Sequence, residues 1–74
     1  MSTIVNTEMP GSVWKILVAP GAPVEVDDVL FILEVMKTEV AHHAPVRGIV
    51  RAVLVSEGEF VAGGAPAIEI GENP

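Results

Sequence analysis

The stretch DVLFILEVMKTEVAHHA, residues 28–44, decides the fold. Elsewhere seven Gly and six Pro break the chain too often for a helix of two turns, because both residues disfavour helix interiors. Within 28–44 a helix can be tried, and it fails. Val29, Leu30, Phe31, Ile32, Leu33, Val35 and Met36 cover every face of a helical period, leaving no polar side for solvent. A chain of 74 residues cannot enclose a helix that is apolar all round. Read as two strands, the same residues make a hairpin turning near Met36-Lys37. The fold class is all-β.

Cutting the rest of the chain at Gly and Pro gives strands at 3–7, 12–18, 29–35, 38–44, 48–55 and 66–70, with brief extended pieces near Val24 and Val61. The apolar residues are rich in Val and Ile, which suit a pleated surface and lose rotamer freedom in helices. Turns recurring every ~8–12 residues indicate a small sandwich or barrel. An internal repeat sharpens this. GSVWKILVAPGAPVEVDDVLFIL (11–33) aligns with GIVRAVLVSEGEFVAGGAPAIEI (48–70) at an offset of 37 residues. Gly11 meets Gly48, Val13 meets Val50, Leu17-Val18 meet Leu54-Val55, Gly21 meets Gly58, and Val24 meets Val61. Turn glycines and core aliphatics are the positions a duplicated strand–turn–strand unit must keep. The expectation is a pseudo-two-fold β-domain spanning 1–74, its halves joined by a single-copy segment around 34–47.

Composition narrows the function. Ten acidic residues against four basic ones leave a net charge of −6, the wrong sign for a nucleic-acid partner. The absence of cysteine excludes a disulfide scaffold and thiolate metal sites. No apolar run approaches the ~18–20 residues of a membrane span, and MSTIVNTEMP lacks the basic start and apolar stretch of a signal peptide. The expected compartment is the cytoplasm. No nucleophile–base pair or phosphate-binding loop is visible, so no catalytic residue is assigned.

The joining hairpin is the best candidate for a site. Tight hairpins favour Asn-Gly, Asp-Gly or Gly-X at the tip because their turns need positive φ. Met36-Lys37 has no such preference, and a turn built from unsuited residues points to another demand on them. Lys37 is the only lysine besides Lys15, and at a tip its amine projects into water. The competing reading is a lysine that discourages edge-to-edge association. On the residues alone the two balance.

Glu34-Val35-Met36-Lys37 resembles the E-A-M-K-M signature of biotinyl domains, the carrier modules of biotin-dependent carboxylases. The resemblance spans nearly the whole chain. Met9-Pro10-Gly11 is similar to the M-P-G that opens the second strand in that family. Glu57-Gly58-Glu59-Phe60-Val61 is similar to its E-G-D-x-V turn, and Ile68-Glu69-Ile70-Gly71 to its last strand. The resemblance implies a flattened barrel of two four-stranded sheets, with Lys37 on a hairpin at the end opposite the termini. It implies biotin as a covalent cofactor on Lys37, attached when the lysine amine attacks a biotinyl-adenylate held by a biotin protein ligase. It further implies Glu34, Val35, Met36 and Thr38 as the surface that the ligase reads. The tethered biotin then carries carboxylate from a biotin carboxylase to a carboxyltransferase, the cofactor performing the transfer while the protein tethers it.

Two positions depart from the pattern. Val35 stands where Ala or Ser is usual, and Thr38 where a large apolar residue is usual, which leaves room for slower recognition or an adapted ligase. Lipoyl domains share the fold but carry D-K-A at the tip, and both neighbours of Lys37 differ from that. A lipoyl carrier, or one accepting both cofactors, is the second reading; an unmodified interaction module is the third. The short segment before the first strand, with no Ala/Pro-rich linker, suggests a stand-alone or excised carrier.

Other candidates carry less. His42 and His43 point to opposite faces of a strand and cannot share one metal, so no metal site is expected. Glu25, Asp27 and Asp28 read as a solvated turn, and Ser56 as a turn residue. Trp14 would pass for core, but its repeat partner is Arg51, which is hard to bury. That equivalence puts Trp14 on the outer face, partly exposed and open to a partner enzyme.

Overall fold

The computed structural model describes residues 2–72. Within these residues eight strands form two four-stranded antiparallel sheets. They are β1 (Ser2–Asn6), β2 (Gly11–Ile16), β3 (Pro23–Val24), β4 (Val29–Val35), β5 (Thr38–His43), β6 (Gly48–Val53), β7 (Phe60–Val61) and β8 (Pro66–Gly71). One sheet has the order β1-β8-β6-β3 and the other β5-β4-β2-β7. The described residues form no helix, so none is long and apolar enough to cross a membrane.

The 37-residue repeat is carried through the backbone. β2 and β6, β3 and β7, and β4 and β8 occupy matching positions in the two sheets. The ladder irregularity beside Trp14, between Val13 and Lys15, recurs between Val50 and Ala52. Bonds outside the ladders repeat as well: Leu17 N–H donates to Leu30 O as Leu54 N–H donates to Ala67 O, and Gly58 N–H to Val13 O as Gly21 N–H to Val50 O. Gly21 and Gly58 both have positive φ, 93° and 88°, a conformation that costs an L side chain energy. The repeat therefore extends to turn geometry.

The core lies between the sheets and is itself paired. Val13, Val24, Leu30, Phe31 and Leu33 face Val50, Val61, Ala67, Ile68 and Ile70 as repeat mates, and all are buried. One pair is unlike. His42 takes the place that Val5 holds in the other half, 1% exposed, with its ring stacked 4.5 Å from that of Phe31. Its Nε2 accepts the Glu8 N–H at 3.2 Å and its Nδ1 lies 3.4 Å from Val40 O. A buried polar ring is tolerated because both nitrogens have partners.

Strand ends differ from the sequence expectation by one or two residues. β2 and β6 stop at Ile16 and Val53, short of 18 and 55, although Leu17-Val18 and Leu54-Val55 prolong the apolar pattern. Beyond these ends the chain turns away: Ile16 N–H donates to Glu57 Oε2 at 2.9 Å, and Leu17 and Leu54 hold the ladder by single bonds. β4 spans 29–35 as read. Glu25, Asp27 and Asp28 do form a turn, in which Asp28 Oδ2 accepts the Glu25 N–H at 2.8 Å.

One close approach seats β6 against β8. A Cβ on Gly48 would overlap the Gly71 carbonyl oxygen and stand 2.9 Å from Ile70 Cγ2. Gly48→Ala is therefore expected to lower stability by about 2 kcal/mol, the usual scale of overpacking against unyielding backbone; a urea melt showing no loss would mean that β6 can shift freely.

Candidate functional site

β4 and β5 pair in plain register, Leu33 with Val40, Glu34 with Glu39 and Val35 with Thr38. Alternation turns Leu33 into the core and Glu34 out to water. After Val35 only two residues remain to reverse the chain. Met36 and Lys37 do so with φ of 49° and 67°. Positive φ at both central residues is the mark of the turn whose twist matches that of the strands it joins. Asn-Gly would adopt it without strain. Met and Lys adopt it at ~1–2 kcal/mol per residue.

The turn displays what it strains to hold. Met36 is 93% exposed, and Lys37 is exposed beside it. Among the described residues the only ion pair joins Arg47 to Glu25, at 4.0 Å, so the Lys37 ammonium is held by no carboxylate there. Glu34 and Glu39 face each other one pair below the last rung, an unfavourable juxtaposition of like charges that makes the base of the hairpin acidic. From the opposite side β2 presses close. A Cβ on Gly11 would stand 2.8 Å from Glu34 O and 2.9 Å from Val35 Cγ2.

Of the residues read as a ligase surface, Glu34, Met36 and Thr38 are exposed around Lys37, while Val35 is half-buried and packs against the core. Val35 thus anchors the hairpin from inside, a role its position beside Gly11 explains. His42 and His43 are separated as the alternation predicts, one buried and one exposed, and the described residues contain no group of three acidic or histidine ligands. Trp14 is 46% exposed on the outer face, as its equivalence to Arg51 predicted. Sequence reasoning missed the supporting role of Gly11 and the burial of His42; the repeat offset, which sets His42 on Val5, held the signal for the second.

A family model described as "Biotin-requiring enzyme" matches residues 1–70. Pyruvate carboxylase of Staphylococcus aureus is 38% identical over 89% of this chain, which spans 6% of that protein. The biotin/lipoyl attachment protein of Bacillus subtilis is 36% identical over 93% of this chain and 94% of its own length. Among solved structures, urea carboxylase of Kluyveromyces lactis superposes with a TM-score of 0.89 at 33% identity, over 95% of this chain and 6% of that one.

The strain in the turn is measurable. Lys37→Gly is expected to raise the unfolding free energy by about 0.5–1 kcal/mol, the left-handed strain relieved less the freedom glycine loses on folding. A variant less stable than the parent in urea would show that Lys37 pays no such cost.

Proposed function

The chain belongs to the biotin-requiring enzyme family, and from that premise we propose that residues 1–74 are a carrier domain whose Lys37 takes biotin as an amide. The observation that carries this is the placement of Lys37: an exposed amine on a strained two-residue turn, at the connection that joins the two repeated halves. The residues suit the group. The amine is unpaired among the described residues, and the turn offers it without a cavity to enter or leave.

In the attachment step Lys37 Nζ, its proton passed to the ligase or to water, attacks the carbonyl carbon of a biotinyl-adenylate. The carbon–nitrogen amide bond forms, the bond to the phosphate oxygen breaks, and AMP leaves. The ammonium charge is lost, so the domain becomes more acidic. Glu34, Met36 and Thr38 present the surface the biotin protein ligase reads, and Val35 fixes the height of the turn above the core. Biotin, once joined, supplies a ureido nitrogen that accepts a carboxyl group at a biotin carboxylase and yields it at a carboxyltransferase. The chain itself contributes a rigid base and an accessible end, which raise the effective concentration of the tethered group at each partner site. It is a carrier and not a catalyst. The B. subtilis relative's name joins biotin with lipoyl, which keeps lipoylation of Lys37 as the second reading.

Intact mass after incubation with biotin ligase, ATP and biotin tests the assignment. The expected result is a gain of one biotin less one water, absent in Lys37→Arg, which keeps the charge and removes the nucleophile. Modification only by lipoate and its ligase would favour the second reading, and none by either would leave an unmodified adaptor.

A further inference from the structure

The outer face of the hairpin-bearing sheet carries two large aromatic residues that the fold does not require. Phe60, 71% exposed, pairs across the ladder with Ser12, and Ser12 with Glu34. It therefore lies in the same cross-strand row as Glu34 and Glu39, one rung below the last pair of the hairpin. Trp14, 46% exposed, sits at the irregularity between Val13 and Lys15, where Lys15 pairs with Ile32. The Lys15 ammonium stands 6.0 Å from the Trp14 ring centroid. The other sheet supplies an internal control. At the positions related by the 37-residue offset it has Arg51 in place of Trp14 and Pro23 in place of Phe60, and β6 and β3 form there all the same. The scaffold thus folds without aromatic side chains at these places.

We propose that Trp14 and Phe60 form the docking surface by which the enzyme that acylates Lys37 holds this domain; the proposal rests on the carrier reading above. A bare lysine reaches only the length of its four-carbon stem, so that enzyme must close onto the body of the domain. A two-residue tip cannot supply the ~20–30 residues that each side of a specific interface uses, and the contact must continue down one face. The face that continues from the hairpin without a break is this one. Trp is enriched among the residues that anchor such contacts, and the Glu34 and Glu39 carboxylates beside it set the sign of the partner. Its complementary surface is an apolar cleft flanked by Lys or Arg. The same carboxylates, on a chain of net charge −6, repel a second copy of the chain at this face.

Initial rates of biotinylation by biotin ligase, measured against concentration of the 74-residue chain, test the surface. Trp14→Ala with Phe60→Ser is expected to raise KM for the carrier about tenfold and leave kcat within about twofold, and added salt is expected to raise the KM of the parent. Trp14→Arg, which installs the residue the scaffold already bears at position 51, should act in the same direction and guards against a misfolded double variant, with thermal melts of each alongside. Ile4→Ser, on the outer face of the other sheet, should change neither constant. A parent that is biotinylated, with KM unmoved in variants that melt normally, overturns the docking surface and spares the carrier reading. A parent that takes no biotin overturns both.

Discussion

Two residues with left-handed backbone, Met36 and Lys37, close the β4–β5 hairpin, and the placement of every site residue follows from that closure. A strand ladder has a side-chain period of two, so a slip of one residue would send Leu33 to water and Glu34 into the core. The turn and the core resist that slip together. Phe31 and Leu33 are fully buried on β4, together worth ~3–6 kcal/mol, against ~2–4 kcal/mol for the strained turn. The strain is therefore affordable to the fold. It is also informative, because residues suited to the turn would relieve it and none is present.

The duplicated architecture bears on where the candidate site lies. In a scaffold whose halves match in strands, ladder irregularities, turn glycines and core residues, the features that break the match are those that packing alone does not demand. Trp14 against Arg51 and Phe60 against Pro23 are such breaks on the surface, and His42 against Val5 is one inside. His42 is accounted for by its hydrogen bonds: it ties the segment at Glu8 to β5. Thr7 does related work opposite, donating to Ala62 O at 2.6 Å and accepting from Ala65 N–H at 3.0 Å. These contacts fasten the connection between β1 and β2, which leads directly to Gly11 beneath the hairpin.

Much of this was legible in the residues. β4 could be bounded because Asp27-Asp28 mark its start and the turn its end, and the hairpin itself followed from the failure of a helix over 28–44. The left-handed demand at Met36-Lys37 was legible from the length of the turn alone. The apolar pattern overextends β2 and β6, because Leu17-Val18 and Leu54-Val55 continue it after the ladder has ended, and no local pattern reports that Ile16 gives its N–H to a glutamate 41 residues away. Asp27 has φ of 74°, which its own side chain does not announce; its repeat mate Gly64, at 79°, does. Val35 read as surface by its neighbourhood in the motif, yet alternation after Glu34 turns it inward.

On the proposed carrier reading, the backbone of the turn, rather than exposure of an amine, selects Lys37 for modification. Exchanging the two turn residues, Met36→Lys with Lys37→Met, keeps the composition, the charge and an exposed amine on the same turn while moving that amine by one residue. Intact mass after reaction with biotin ligase, ATP and biotin gives the answer directly. The exchanged chain, folded as the parent by circular dichroism, is expected to take up no biotin. Uptake at position 36 comparable to that of the parent would contradict this selection by the turn.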